Sequence, residues 1–392
     1  MKFPYCLLKK PPLHLIDPVP PADMKSQIEN SVPRLKRLLP RFRKLRIGVL
    51  GDLMLDRYVW GNANRLSPEA AVPVVDYVSE QDCPGGAGNV AVNVAALGAQ
   101  VDVFGVVGAQ KNPGRGVSAK RIAADEAGTA LHAALRKLGI GERGIITDVH
   151  RVTTLKTRII ARHQQLVRID QERRDPVAPQ TEEKLFRLLV ASLEKLDGLV
   201  LSDYDKGLLG DAFADRVLSA AHQLKVPVFV KPKTSRLYAY RGARVIVCNA
   251  KEAGRYVGRI LSDEKSVEES GHALLPHFGC AAVVITRGEK GMDIFQEVPP
   301  KHLNIPATSF EVTYARVGQP GIDRDNTGRQ VFDVTGAGDT VLSALSLAIA
   351  AGAPLPDAAL LANIAAGIVV GKLGTASVSP EELAGALNEI HA

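Results

Sequence analysis

The run Gly336-Ala337-Gly338-Asp339-Thr340 opens an apolar stretch, Val341 to Ala350, of helical length and spacing. A Gly-X-Gly turn at a helix start leaves backbone N–H groups pointing off the helix end, where the helix dipole favours an anion. A carboxylate directly after such glycines would be repelled by that anion unless a hydroxyl lay between them. With a hydroxyl there, Asp339 takes its proton while the N–H groups of Gly336, Ala337 and Gly338 hold a phosphoryl group under attack. The same residues would serve equally well as a tight turn and a helix cap. Taken alone, the run leaves both readings open.

Further candidates lie where strands end. Arg46 to Asp52 reads as a buried strand closing on a Gly-Asp turn, and ligands gather at such carboxyl ends in parallel sheets. Asp52 and Asp56 are therefore candidates for sugar hydroxyls, or else turn residues and caps. Pro84-Gly85-Gly86-Ala87-Gly88-Asn89 leads into an Ala/Val helix, Val90 to Leu97. Its glycines either serve the turn or form a wall without side chains, along which a substrate lies close to backbone. From Thr153 the chain alternates, so Lys156 and Arg158 share one side of a half-exposed strand. They are solvated there, or they bind a phosphate monoester, which Lys and Arg suit. Gln164 precedes a second short strand, Leu166 to Ile169. Asn249-X-X-Glu252 is a capping box whose carboxylate is also placed to order water around a magnesium ion.

These residues need a frame. From Thr181 onward helix and strand alternate, with strands at 198–201, 226–230, 245–247 and 282–285, each followed by polar or Gly-rich residues. That pattern predicts an α/β fold with a parallel sheet covered on both faces and a site along one sheet edge. Pro73 places the strand around Val72 to Val78 at a sheet edge. No Gly-X-X-X-X-Gly-Lys-Ser/Thr loop occurs, which excludes a P-loop enzyme. The net charge of +7 is concentrated in the first 46 residues, and with 5% aromatics the chain lacks the stacking platforms of a nucleic-acid binder. Residues 1–45 read as a basic, Pro-rich extension, partly disordered, with a helix near 24–40; residues 46–392 read as the main domain. Four scattered cysteines indicate neither a disulfide framework nor a zinc site. No stretch is apolar enough to span a membrane and no secretion signal is evident, so a cytoplasmic protein is expected.

In this order, the Gly85–Asn89 block, Asn249-X-X-Glu252 and Gly336-Ala337-Gly338-Asp339 resemble the ribokinase-like (PfkB) family of carbohydrate kinases, over most of residues 46–380. Within the family the likeness is strongest to its kinases of heptose 7-phosphate. It is carried by Gly51 to Tyr58, Arg65 to Val75, Lys156 to Asp170 and Ser202-Asp203-Tyr204-Asp205-Lys206-Gly207. The resemblance implies a Rossmann-like core with a small β lid from about 57–79 and 151–170, which also carries a homodimer contact. It implies that Asp339 is the base and that Asp52, Asp56, Gly85, Gly86, Asn89, Lys156, Arg158 and Gln164 meet a small-molecule sugar phosphate. Lys233, Asn249, Glu252, Thr286, Gly288 and Gly291 would meet ATP, with Asn363 near its base. Mg2+ would be held by Glu252 through water, and the family leaves room for a monovalent cation. The implied reaction is phosphorylation of a heptose 7-phosphate at its 1-hydroxyl. The alternatives are another sugar or nucleoside acceptor, or a silent sugar-binding regulator.

Three features depart from the family pattern. Lys231-Pro232-Lys233 stands where Asp-Pro-Lys is usual. The stretch Ala109 to Ala124 reads as a surface insertion, and Asn304 to Arg329 is longer than expected. The likeness is to a kinase domain alone, so a stand-alone kinase is expected.

Overall fold

The computed structural model describes residues 21–110, 123–162, 164–233, 240–299, 301–307, 336–372 and 376–390, with side chains from Asn30 onward. The 109–124 and 304–329 stretches therefore lie largely outside the described residues. In chain order the strands are β1 (Arg46–Gly51), β2 (Leu53–Leu66), β3 (Pro73–Gly86), β4 (Gln100–Gly108), β5 (Gly141–Asp148), β6 (Thr154–Ala161), β7 (Gln164–Gln171), β8 (Gly198–Ser202), β9 (Val228–Lys231), β10 (Val245–Asn249), β11 (Ala282–Thr286), β12 (Met292–Gln296) and β13 (Lys301–Ile305). The helices are α1 (Pro21–Leu38), α2 (Ala87–Ala96), α3 (Glu126–Lys137), α4 (Pro179–Leu193), α5 (Asp211–Gln223), α6 (Ala250–Val257), α7 (Glu264–Phe278), α8 (Ala337–Ala350), α9 (Leu355–Val370) and α10 (Pro380–Glu389).

Among the described residues the main sheet has nine strands in the order β13-β12-β11-β10-β9-β8-β1-β4-β5. It is parallel from β11 to β5, and β12 and β13 add on antiparallel. Alternation explains its burial. In β1, Ile47 and Val49 enter one core and Leu50 the other; in β8, Val200 enters the first and Leu199 and Leu201 the second. Helices α1, α2, α3, α8, α9 and α10 cover the first face, and α4, α5, α6 and α7 the second. This is an α/β architecture whose mostly parallel sheet is covered on both faces. The sequence reading did not anticipate β12 and β13, which extend the sheet beyond the alternating βα pattern.

A second sheet, β3-β2-β6-β7, forms the lid. The Pro73 strand, β3, lies at its edge, as proline's missing N–H requires. One residue separates the end of β1 from the start of β2 at Leu53, so Asp52 is the pivot between main sheet and lid. Among the described residues no helix is long and apolar enough to cross a membrane.

The described end of the basic N-terminal stretch, from residue 32, is attached to the core. Val32, Leu35, Leu38, Leu39 and Phe42 are buried against the first face. Asp357, in the first turn of α9, accepts hydrogen bonds from Ser31 Oγ (2.8 Å) and Arg34 Nε (2.7 Å). Phe42→Ala would leave a cavity in a fully buried site, and a loss of about 3–5 kcal/mol is expected in urea unfolding. A midpoint equal to wild type would mean that the helix docks without contributing to stability.

Candidate active site

The carboxyl ends of the parallel strands converge on one edge. Gly51, Ser202 and Lys231 stand side by side at the ends of β1, β8 and β9, and Asn249 pairs with Thr286 at the ends of β10 and β11. Above this edge α8 begins. Its N-cap is Gly336, with no capping side chain, so Asp339 is not the helix cap. The helix is fixed by near-complete burial from Asp339 to Ala348 and by Ser343 Oγ donating to the Val90 carbonyl (3.2 Å) of α2.

Asp339 is buried, and three elements converge on its carboxylate. Asn89 Nδ2 donates to Oδ2 at 2.8 Å, Tyr204 OH to Oδ1 at 2.8 Å, and Lys231 Nζ to Oδ1 at 2.6 Å. Asn89 is itself braced: Asn93 Nδ2 donates to its carbonyl (2.9 Å), and Thr340 Oγ1 donates to Asn93 Oδ1 (2.8 Å). Burial works against the Lys231 ammonium, but the adjoining Asp339 charge more than offsets it and raises the Lys231 pKa. Burial, together with that same carboxylate, raises the Tyr204 pKa, so its hydroxyl stays protonated and donates.

Arg158 Nη1 donates to the buried carboxylate of Asp56 at 2.5 Å, and its guanidinium lies over the Tyr58 ring. Burial raises the Asp56 pKa although Arg158 opposes this. Gly85 makes room for the pair, since a Cβ there would fall 2.3 Å from Asp56 Oδ2. The wall without side chains thus admits Asp56. Lys156 shares the Arg158 face but is held by Asp170 (3.2 Å) and Glu172 (3.3 Å), and Lys206 also pairs with Glu172 (2.8 Å). Gly86 caps α2 beside this wall, and Gln164 is exposed at the start of β7.

Asp52 serves the loop after β8. Its Oδ2 accepts from the backbone N–H of Tyr204 (2.8 Å) and Lys206 (3.1 Å), which holds Tyr204 beneath Asp339. Burial first, then the nearby Asp203 charge, push its pKa up to about 6, against these N–H donors. Raised above the ordinary 3.8, its contribution to stability is complete below that pH and is lost as pH rises through 6. Relative to Asp52→Asn, wild-type stability should therefore fall by roughly 2 kcal/mol between pH 4 and pH 7 in denaturant titrations. A pH-independent difference would refute this.

The residues expected at a nucleotide also gather. Asn249 and Glu252 form a reciprocal capping box at the start of α6 (2.9 and 3.0 Å), and Lys233 Nζ pairs with Glu252 Oε1 at 3.2 Å. Gly288 and Gly291 shape the turn after Thr286, with Gly291 N donating to the Gly288 carbonyl. Met292 pairs with Ile305, which brings this turn beside Pro306, whose carbonyl accepts from Asn363 Nδ2 at 2.7 Å. Among the described residues no group of three or more His, Cys, Asp and Glu side chains could cage a metal. One buried carboxylate, Glu252, fits a magnesium ion held through water and completed by phosphates, which is the usual demand of that ion.

Sequence reasoning passed over Tyr204 and Lys231 as site residues. Tyr204 falls within the Ser202–Gly207 likeness and Lys231 within the departure from Asp-Pro-Lys, and neither pattern marks them as site residues. Their position at the ends of β8 and β9 was the available signal.

A buried carboxylate at a helix start, met by Lys231, Tyr204 and Asn89 at the carboxyl edge of a parallel sheet under a β lid, has the geometry of a phosphotransferase site. Residues 45–382 match the pfkB family carbohydrate kinase pattern, and the chain belongs to this family of enzymes, which phosphorylate sugar hydroxyls. It is 43% identical over 343 residues to the bifunctional protein HldE of Geobacter sulfurreducens, covering 88% of this chain and 63% of that one. It is 43% identical over 352 residues to HldE of Methylococcus capsulatus, covering 90% of this chain and 66% of that one. The chain thus spans a little under two thirds of these relatives. Escherichia coli phosphofructokinase-2 in complex with substrates and products superposes with a TM-score of 0.67 at 16% identity, covering 89% of this chain and 99% of that one. Arabidopsis thaliana ribokinase complexed with ribose and ATP gives 0.62 at 16%, covering 88% and 98%. At such identities these two speak for the fold.

Proposed function

We propose that the protein transfers the γ-phosphoryl group of ATP to the 1-hydroxyl of D-glycero-β-D-manno-heptose 7-phosphate, giving the 1,7-bisphosphate. The observation that carries this reading is the buried Asp339 facing a lid whose inner side bears Asp56, Arg158 and Lys156, an acid and two cations suited to a phosphorylated sugar. Asp339 takes the hydroxyl proton, and the N–H groups at the start of α8 meet the phosphoryl group. Magnesium, organised by Glu252 through water, would neutralise the nucleotide phosphates. The relatives named HldE and the four stretches of heptose-kinase likeness support the choice of acceptor.

The test is purified protein with ATP, magnesium and a panel of sugars and sugar phosphates, with phosphorus NMR of the product. Formation of an anomeric phosphate on heptose 7-phosphate is expected. Turnover of ribose, fructose or a nucleoside in its place would move the acceptor elsewhere in the family, and no turnover at all would leave a silent binder. The same reading includes a cytoplasmic homodimer joined through the lid, supported by the exposed Tyr77, Val167 and Ile169 on the lid's other side. Light scattering that returned the mass of one chain would remove that part.

A further inference from the structure

The Asp339 carboxylate is crowded before any substrate arrives. Asn89 is braced by Asn93 at its carbonyl and its Oδ1, and Tyr204, on the loop pinned by Asp52, donates across both carboxylate oxygens, so both are tied to their elements. Lys231 differs: it reaches Asp339 on a flexible four-carbon stem, with its side chain 18% exposed. A hydroxyl that gives its proton to Asp339 competes with these donors for the carboxylate, and the ammonium is the one best able to yield its place.

Its surroundings say where it would go. Lys231 Nζ lies over the first turn of α8, since a Cβ at Gly338 would fall 3.2 Å from it. Lys233, two residues on, pairs with Glu252, and the two ammonium groups lie 5.3 and 5.7 Å from the centre of the Tyr204 ring. Lys231 therefore stands between the base and the Asn249–Glu252 end of the site. A phosphoryl group crossing from nucleotide to hydroxyl passes through that interval.

We propose that Lys231 is a catalytic residue: its ammonium exchanges the Asp339 carboxylate for the phosphoryl group in transfer when the acceptor hydroxyl binds. The inference rests on the phosphoryl-transfer reading above and not on which sugar accepts. In the step, the hydroxyl proton passes to Asp339 and the sugar oxygen bonds to the γ-phosphorus. The bond from that phosphorus to the β,γ-bridging oxygen breaks, and ADP leaves with the electron pair. Lys231 keeps its protons throughout and offsets charge on the equatorial oxygens.

The experiment places Lys231→Met and Lys231→Arg in the wild-type and Asp339→Asn backgrounds. Lys231→Met should lower kcat by roughly 10–100-fold, the worth of one charge-assisted hydrogen bond, and Lys231→Arg by less. The deciding readout is the Asp339→Asn background, in which a residue acting only through Asp339 has nothing left to act on. There Lys231→Met should lower the residual rate by a further tenfold or more; no further loss would overturn the proposal. Calorimetry with ADP, magnesium and aluminium fluoride supplies an arm free of the sugar. Lys231→Met should weaken that complex at least tenfold while binding ADP alone as wild type does, and equal affinity for the fluoroaluminate complex would overturn the proposal. Lys231→Gln, which keeps a donor for Asp339, replaces the Met variant if the latter does not fold. If heptose 7-phosphate is not turned over, the acceptor assignment falls and the fluoroaluminate comparison still decides Lys231.

Discussion

Asp339→Asn is expected to lower turnover by roughly 10²–10⁴-fold, the usual worth of a general base, while ATP binding stays near wild type. The amide still accepts from Tyr204 or Asn89 through its oxygen, but it loses the charge that holds Lys231 at 2.6 Å. Some loss of thermal stability is therefore expected, because three elements meet at this carboxylate. The rate loss should far exceed what a small unfolded fraction explains, and circular dichroism with ATP calorimetry on the same sample separates the two. Should the variant keep most of its kcat, Asp339 is a structural tie among α2, β8 and β9, and the base lies elsewhere.

Arg158→Ala is expected to lower kcat/KM for the phosphorylated sugar by roughly 10–100-fold and to leave KM for ATP nearly unchanged. Interactions at the remote end of a substrate also hold its reacting hydroxyl in line, so kcat should fall along with the rise in KM. Arg158 is the stronger candidate of the two lid cations. Among the described residues its one carboxylate partner is Asp56, whereas Lys156 already faces both Asp170 and Glu172. The variant leaves Asp56 buried without its cation, so loosening of the lid is a competing cause. The unphosphorylated sugar tells them apart: loss of a phosphate contact spares it, and a loosened lid does not. Equal losses on both acceptors would take Arg158 out of phosphate recognition and leave it a brace for Asp56.

Much of this protein was legible in its sequence because the informative patterns are local. The apolar run after Gly336-Ala337-Gly338-Asp339 set α8, the Asn249-X-X-Glu252 spacing set the capping box of α6, and Pro73 marked the edge strand of the lid. Alternating apolar strands and amphipathic helices announced a sheet buried on both faces, since each strand needs cover on two sides.

What tertiary structure alone decided is which charges meet. Asn89, Tyr204 and Lys231 lie 250, 135 and 108 residues from Asp339 in the chain, and nothing in their local sequence states that all three donate to it. Asp52 reads equally as a ligand for sugar hydroxyls or as a turn residue, and only the fold shows its Oδ2 accepting from the Tyr204 and Lys206 N–H groups. The reason is geometric. Local periodicity fixes which face a side chain takes, but strand order and register fix its neighbours, and those arise only when distant segments pair.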